Sequence, residues 1–366
     1  MTAAVVVLNW NGLELTRGCV RSLLAQTRRA REIVVVDNGS SGGDADALRR
    51  EFGEAVAVLA LPANEGFAGG CNRALERLLA DGRCEFIALL NNDAEAEPRW
   101  LEALIAAAQA DPRIGAVGSR MRLWSRPELL DGAGVWILGS GDSLPRGRLQ
   151  PAERFARDDD VLSACGGALL LRSSMLREIG LFRADFFANF EDEDLLLRAS
   201  VAGWRVRYCA AAEVRHRLNA TIARVRDLPF DVRSVRNATW AWAVNLPWPV
   251  LLLNLPWFVL ANLGVLVAMP LCGRPRVALA FLRGRLRALR ELPAILRERR
   301  RLAPLRRARW WRIWAMQRSF PVAALAMLRA AFGRGSGGMV RGAVVPDDGR
   351  GRPDAARQEE PAARRR

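Results

Sequence analysis

Short apolar runs alternate with amphipathic segments through the first two hundred residues. The runs are rich in Val, Ile and Leu and end at Asn, Gly, Ser or Asp, as do strands buried on both faces of a sheet. The predicted strands are 4–8, 33–36, 56–59, 86–90, 114–117, 168–171 and 205–209. The predicted helices are 15–26, 44–52, 68–79, 99–109, 173–179 and 193–202. This alternation predicts βαβ crossovers and a doubly wound α/β sheet that binds ligands at the carboxyl ends of its strands.

The pattern weakens between residues 120 and 160 and changes character beyond residue 236. Thr239–Gly273 carries no charged residue, and residues 274–318 carry 15 arginines against two glutamates. An apolar, Trp-containing stretch followed by basic amphipathic helices is typical of a membrane surface. Four prolines argue against one straight helix. Two crossings need about 40 residues, and this stretch has only 35. We therefore favour a re-entrant or in-plane element. A buried helical pair in a soluble protein is the alternative.

The net charge also differs between the N-terminal and C-terminal parts of the chain. All 55 basic residues are arginine, and the formal net charge is +16. Residues 1–230 carry a net charge of −2, whereas residues 231–366 carry +18. This distribution argues against a nucleic-acid-binding fold spread over the chain. We predict a globular domain over 1–230, a membrane-association region over 231–332 and a disordered tail over 333–366. Since no signal peptide precedes the first strand, we expect the globular domain to be cytoplasmic.

Polar residues follow the first two predicted strands. Asn9 ends the first strand, and Asp37 and Asn38 follow the second. A carboxylate at this edge can accept hydrogen bonds from a base or a ribose, although a turn cap is the competing interpretation of Asp37. The Gly-rich stretch Asn64–Gly70 opens a helix, whose N-terminus favours anions. It matches neither the dinucleotide fingerprint nor the P-loop, so a plain turn stays open.

Acidic residues supply the candidate chemistry. Asn91-Asn92-Asp93 follows a buried strand, and Mg²⁺ bridging Asp93 to a diphosphate would give that carboxylate a partner. A capped turn is the alternative. Asp158–Asp160 follows a loop and is interpreted as a solvated run. Glu191–Asp194 adjoins a run of phenylalanines, which can raise a carboxyl pKa and suit it to general-base work. Helix-start chemistry explains part of this acidic cluster.

The single histidine, His216, follows the last predicted strand of the domain. It is either structural or a further metal ligand.

Taken in order, these stretches resemble the inverting family 2 glycosyltransferases with a GT-A fold, and among them the bacterial rhamnosyltransferase-like branch. The matching stretches are 7–12, 36–40, 64–70, 90–93, 166–168, 186–187 with 191–194, and Val214 with His216. The resemblance implies a Rossmann-like, mostly parallel sheet flanked by helices, with a C-terminal helical membrane-associated region. It also implies sugar transfer, with rhamnose from dTDP-rhamnose as the expected donor. The acceptor would be a lipid-linked or polyprenyl-linked glycan, or another cell-surface glycan, at the cytoplasmic face of the inner or plasma membrane.

The resemblance also assigns roles. Asp192 would be the general base, with Glu191 as second choice, and Asp93 with His216 would bind Mg²⁺ or Mn²⁺. The nucleotide-sugar would be bound by Asn9, Asp37, Asn38, Asn64, Gly66, Gly69, Asn91 and Asn92. The chain departs from the family in lacking the first carboxylate of the metal motif, where Asn91 stands. It also departs at Arg183, Ala184 and Asn189 on the acceptor side, which leaves the acceptor open.

Two alternatives keep the same fold. One is a UDP- or GDP-sugar donor. The other is a catalytically inactive scaffold in a membrane glycan-assembly complex, since a fold does not guarantee an activity. A third alternative is a nucleic-acid-binding protein, which the basic C-terminal half would favour. The uncharged, Trp-rich stretch beside the arginines, however, suits a bilayer better than a phosphate backbone.

Overall fold

A computed structural model describes residues 2–217 and 226–317, so the predicted tail 333–366 lies outside the described residues. The strands are β1 Ala3–Asn9, β2 Glu32–Asp37, β3 Ala57–Ala60, β4 Phe86–Asn91, β5 Ala94–Ala96, β6 Ile114–Leu123, β7 Leu130–Gly132, β8 Val135–Ile137, β9 Ser143–Pro145, β10 Asp159–Val161, β11 Ala168–Arg172 and β12 Arg205–His216. The helices are α1 Leu13–Leu24, α2 Asp44–Phe52, α3 Gly66–Asp81, α4 Trp100–Gln109, α5 Ser173–Ile179, α6 Glu191–Val201, α7 Leu228–Asn245, α8 Trp248–Leu271, α9 Pro275–Arg290, α10 Leu292–Leu302 and α11 Trp310–Met316.

The main sheet has the strand order β10-β12-β6-β11-β4-β1-β2-β3. Strands β1 to β4 are mutually parallel, as the alternation of strands and helices predicts. Strand β11, however, runs antiparallel to both of its neighbours, β4 and β6, so the sheet is mixed. The prediction of a mostly parallel sheet is therefore wrong for this strand. All five residues of β11 are buried, and a strand buried on both faces has the same composition in either direction.

Each face of the sheet is covered by helices, which is why the strands are so apolar. Val5 and Val7 of β1 pack with α1 and α4 on one face. Ala4 and Val6, which alternate with them, pack with α3 and α6 on the other. Since side chains alternate along a strand, both sets must be apolar. The carboxyl ends of β1, β2 and β4 consequently meet at one edge of the sheet.

The predicted boundary at residue 230 falls inside α7. This helix packs against α6, and the Asn245 Nδ2 donates to Asp194 Oδ1 at 2.8 Å. Most of its side chains are buried, including Trp240 and Val244. Residues 231–245, which we assigned to the membrane-association region, are thus part of the packed body.

The uncharged stretch divides at Leu246 and Pro247 into α7 and α8. The prediction that prolines interrupt it is correct there, but Pro256 and Pro270 lie within α8. Helix α8 has 24 residues, and within the described chain it alone is long and apolar enough to cross a membrane by length and composition.

Candidate active site

A cavity of about 570 Å³ opens at the carboxyl edge of the sheet. Its lining contains nine of the residues singled out from the sequence, namely Asn38, Asn64, Gly66, Asn91, Asn92, Asp93, Glu191, Asp192 and His216. These residues come from the ends of strands and from the starts of α3 and α6. The lining does not include Asn9, Asp37 or Gly69.

Asn9 is fully buried beneath this edge. Its Nδ2 donates to Asp37 Oδ1 at 2.9 Å and to Asp44 Oδ2 at 3.0 Å. Its Oδ1 accepts a hydrogen bond from Thr16 Oγ1 at 2.7 Å. Both polar atoms of the Asn9 amide thus have protein partners that hold it beside Asp37, and its contact with the nucleotide-sugar stays a prediction. Asp37, which also accepts from Ser40, is itself 4% exposed.

Asn38 shapes the turn that precedes α3. Its Nδ2 donates to Asn64 Oδ1 at 2.9 Å and to the Gly66 carbonyl at 3.0 Å. Gly66 has a φ of +74°, and a Cβ there would lie 2.4 Å from the Phe187 carbonyl oxygen. Gly66 is therefore required by the packing of Phe187. A Cβ on Gly69 would meet Glu65 Cβ at 2.8 Å, so Gly69 serves packing within the helix.

Replacing Gly66 with Ala should destabilise the protein by about 3 kcal/mol, because left-handed backbone strain adds to overpacking against Phe187. Gly82→Ala is the matched control, since Gly82 has a φ of +70° and no neighbour within 4 Å. It should cost only about 1 kcal/mol. Urea unfolding measures the stability of both variants. Equal losses of stability would show that the Phe187 segment moves aside for the added methyl group at no energetic cost.

Asp93, His216 and Asp131 form one hydrogen-bonded array. His216 Nε2 lies 3.1 Å from Asp93 Oδ1, and His216 Nδ1 lies 2.8 Å from Asp131 Oδ2. Arg148 approaches the other oxygen of Asp131 at 3.6 Å. Burial alone lowers the pKa of His216, but the hydrogen bonds with Asp131 and Asp93 outweigh it and raise that pKa to about 10. The imidazolium therefore neutralises part of the negative charge at this end of the cavity.

Within residues 2–217 and 226–317, no set of three or more His, Cys, Asp or Glu side chains is arranged to hold a metal ion. A nucleotide-bound Mg²⁺ needs less, because it keeps waters and uses one or two protein carboxylates with the phosphates. The Asp93 carboxylate lines the cavity with the His216 imidazole beside it. Because metal ligands must be deprotonated, His216 would have to release its Nε2 proton to bind an ion. Asp93 and the neutral imidazole would then form an incomplete metal site that a diphosphate would complete.

Asp192 lies at the start of α6 and is 3% exposed. Its Oδ2 accepts from the Gly166 amide at 2.7 Å, and its Oδ1 accepts from the Glu193 amide at 3.0 Å. A carboxylate oxygen can accept a second hydrogen bond. The side chain is therefore fixed in position and still able to accept from a hydroxyl group in the cavity.

The backbone before α6 is strained. Phe187, Asn189 and Phe190 have φ values of 62°, 71° and 69°, which residues other than glycine seldom adopt. Helix α7 holds this segment, since Asn237 Nδ2 donates to the Phe186 carbonyl at 2.9 Å and to the Asn189 carbonyl at 3.0 Å. Strain that neighbouring elements maintain is typical of functional segments. Here it sets the direction in which α6 begins and so places Glu191 and Asp192.

The other two acids of the cluster serve the structure. Asp194 pairs with Arg198 at 2.6 Å, and Glu193 accepts from Ser143 Oγ at 3.0 Å. The second acidic run is also structural, because Asp160 of the edge strand β10 pairs with Arg205 at 2.7 Å.

Comparison with known proteins identifies the family. The sequence model described as Glycosyl transferase family 2 matches residues 4–180. The N-acetylglucosaminyl-diphospho-decaprenol L-rhamnosyltransferase of Mycobacterium tuberculosis is 30% identical over an alignment of 218 positions that covers 53% of this chain and 69% of that relative. This chain belongs to the family 2 glycosyltransferases. Within them it falls in the rhamnosyltransferase-like branch, and its activity is sugar transfer from a nucleotide-sugar donor.

Solved structures show the fold of this glycosyltransferase to be GT-A-like. GalNAc-T7, crystallised with UDP, GalNAc and Mn²⁺, superposes with a TM-score of 0.55 at 15% identity, over 67% of this chain and 48% of that chain. Residues 1–349 of S. aureus TarS, crystallised with UDP, superpose with a TM-score of 0.51 at 15% identity, over 74% of this chain and 73% of that fragment. At this identity the likeness concerns the fold alone.

Sequence reasoning missed two cavity residues of this glycosyltransferase that belong to the array around His216. Asp131 and Arg148 lie between residues 120 and 160, where no periodicity marks an element. The only local signal is the pair Leu129-Leu130 before Asp131. Asp131 belongs to the site because it is hydrogen-bonded to His216, which lies 85 residues away in the sequence.

Proposed function

We propose that this glycosyltransferase transfers rhamnose from dTDP-rhamnose to a hydroxyl of a lipid-linked or cell-surface glycan, with inversion at the anomeric carbon. One observation carries the proposal: the carboxylates of Asp93 and Asp192 line the same cavity. One can serve the departing diphosphate and the other the attacking hydroxyl. The rhamnose donor and the polyprenyl-linked acceptor are supported by the name of the mycobacterial relative.

Asp192 is the proposed general base. It accepts the proton of the acceptor hydroxyl while that oxygen forms a bond to the anomeric carbon. The bond between the anomeric carbon and the diphosphate breaks on the opposite side, and the nucleoside diphosphate leaves with the bonding electrons. A single displacement of this kind needs no covalent enzyme intermediate and inverts the configuration.

Asp93 and His216 are the proposed ligands of Mg²⁺ or Mn²⁺. When bound, the ion neutralises charge on the diphosphate as it departs. The Mn²⁺ in the GalNAc-T7 crystals supports divalent metal use in this fold. Asn38 and Asn64 stand at the same edge, where they would border the nucleoside.

We place this activity at the cytoplasmic face of a bacterial inner or plasma membrane. The apolar helix α8 and the arginines beyond it support this location. A lipid-linked acceptor would be presented at the same surface.

Nucleotide-dependent thermal stabilisation tests the proposal. UDP, dTDP and GDP are compared with and without Mn²⁺. A nucleotide at 100 times its Kd adds roughly 2.7 kcal/mol of stability. We expect metal-dependent stabilisation by dTDP. A preference for UDP or GDP would replace the rhamnose donor, and a folded protein that none of the three stabilises would favour the inactive scaffold.

Asp131→Asn should weaken Mn²⁺ binding about 10- to 100-fold, because partners that orient a metal-binding histidine have effects of that size. Mn²⁺ titration in the presence of dTDP measures the change. Asp46→Asn is the control, since Asp46 is exposed and pairs only with Arg49 among the described residues. An unchanged Mn²⁺ affinity in Asp131→Asn would contradict the metal role of His216.

A further inference from the structure

Helix α8 has one face packed on the protein and one face exposed. Its buried or half-buried positions recur every three to four residues along its whole length, at 250–251, 254, 258, 261–262, 265–266 and 269. Between them it exposes large apolar side chains, including Leu252 at 65%, Leu260 at 54%, Leu263 at 55% and Val267 at 62%. Soluble proteins seldom expose so many large apolar groups together.

The neighbouring helices extend this exposed surface. Helix α9 packs beside α8 and exposes a stripe of leucines, and α11, on α8 as well, exposes three tryptophans. We call the whole surface the apolar face. Besides the exposed side chains of α8, it consists of Leu279, Leu282, Leu286, Leu289, Trp310, Trp311 and Trp314.

A row of arginines borders the leucine stripe of α9. Arg276, Arg283 and Arg290 are exposed and are spaced seven residues apart, so they share one side of the helix. None of the three forms an ion pair with another described residue. An apolar stripe beside unpaired cations is the composition of a helix that lies in the headgroup layer of an anionic bilayer. Tryptophan is also enriched at that depth.

The packed face of α8 is tied to the body by polar contacts. Asn254 Nδ2 donates to Gln317 Oε1 at 2.9 Å. Asn262 Oδ1 accepts from the Arg285 Nε at 2.8 Å. Arg285 also donates to Thr239 Oγ1 at 2.6 Å. These contacts join α8, α9 and α7, and they satisfy polar groups that an apolar helix would otherwise leave without partners.

The same contacts reach the globular domain. Arg285 approaches Asp142 Oδ2 at 3.4 Å. Phe258 of α8 stacks on Trp242 of α7, with ring centroids 5.1 Å apart. The link between α7 and α8 consists of Leu246 and Pro247 alone, and Leu246 is fully buried. These contacts therefore hold α8 against the body between Asn254 and Asn262.

We propose that α8 lies in the plane of one leaflet and that the apolar face docks the enzyme on an anionic lipid bilayer without crossing it. A crossing would carry Asn254 and Asn262 into hydrocarbon without their partners. It would also expose the Arg285 and Asp142 pair to lipid once α8 has left. The proposal rests on the proposed function in one respect, namely that the acceptor is held at the membrane.

Vesicle co-sedimentation of the full chain tests the docking surface. We expect binding to phosphatidylcholine vesicles that contain phosphatidylglycerol and weak binding to phosphatidylcholine alone. Leu260→Arg should weaken binding on the order of tenfold or more, because it places a charge in the apolar face. Leu24→Arg is the matched control, since Leu24 is 39% exposed on α1. Leu263→Arg replaces Leu260→Arg if the latter fails to fold.

A natural cysteine reports the topology. Cys272 directly follows α8 and is exposed, whereas the other five cysteines are buried or half-buried. In sealed proteoliposomes, a membrane-impermeant maleimide should label Cys272 to the same fraction as Ser41→Cys placed in a Cys272→Ser background. Ser41 is exposed on the globular domain. If Cys272 is instead labelled in the fraction of molecules in which Ser41→Cys is protected, the two sites lie on opposite sides of the bilayer. Helix α8 would then cross it, and the proposal would be overturned.

The outcomes separate this inference from the proposed function. Nucleotide stabilisation without vesicle binding overturns the docking surface alone. Vesicle binding without nucleotide stabilisation overturns the proposed donor chemistry alone. A discrete dimer in light scattering that does not bind vesicles would assign the apolar face to a second copy of the chain.

Discussion

We expect Asp192→Asn to lower kcat by a factor on the order of 10²–10⁴, which is the usual contribution of a general base. The amide cannot accept the proton of the acceptor hydroxyl. The two amides that donate to Asp192, those of Gly166 and Glu193, hold the side chain in place. One of them would face an NH₂ group in the variant, so we also expect a stability loss of about 1–3 kcal/mol.

Steady-state kinetics on the purified variant provide the measurement, with thermal unfolding to verify the fold. Stabilisation by dTDP and Mn²⁺ should persist, because Asp192 is assigned to the acceptor. Glu191→Gln is the matched comparison on the same turn of α6, and it should have the smaller effect. A folded Asp192→Asn protein with near-normal turnover would refute the assignment, and a larger loss in Glu191→Gln would transfer the role to Glu191.

Asp93→Ala is expected to reduce turnover on the order of 10²–10⁴ and to remove the Mn²⁺ dependence of nucleotide binding. The side chain is the only carboxylate of the Asn91-Asn92-Asp93 stretch, so no neighbour in that stretch replaces it. Stabilisation of a leaving diphosphate by a bound cation is worth several kcal/mol, and each 1.36 kcal/mol is about tenfold in rate.

The loss of turnover in Asp93→Ala can arise from the missing metal ligand or from a change at His216. Removing the carboxylate also removes a partner of the His216 imidazolium. Asp93→Asn keeps a hydrogen-bond acceptor for His216 but loses the charge, so it separates the two effects. Equal losses in both variants indicate that the charge matters. Recovery in Asp93→Asn, with Mn²⁺ dependence intact, would contradict the metal role.

The sequence predicted seven strands and the first six helices of the globular domain, since periodicity is a local property, but it did not predict the short strands β5 and β7 to β10. The apolar runs around Val5 and Val35 and the amphipathic segments between them needed no knowledge of distant contacts. It could not predict the direction of β11, because burial on both faces leaves the same residues in either orientation. Nor could it show that α7 belongs to the body, since a buried helix and a lipid-facing helix are both apolar.

The candidate site divides in the same way. The sequence placed Asp93 and Asp192 at element ends, where ligands bind. The choice of Asp192 and Glu191 among the four acids at 191–194 came from the family resemblance, because the residue pattern alone does not show which acids face the cavity. That depends on the strained backbone before α6, which α7 maintains through Asn237. The sequence also could not show that the Asn9 side-chain amide donates its hydrogen bonds to Asp37 and Asp44.

The sequence by itself determined the α/β class, the family and the residue types available for chemistry, because these follow from local pattern and from the order of short motifs. Tertiary structure alone decided that Asp131 joins His216 across 85 residues of chain. It alone decided that α8 keeps one side on the protein through Asn254 and Asn262. Both outcomes depend on contacts between segments far apart in sequence, and neither leaves a periodic signal where its residues lie.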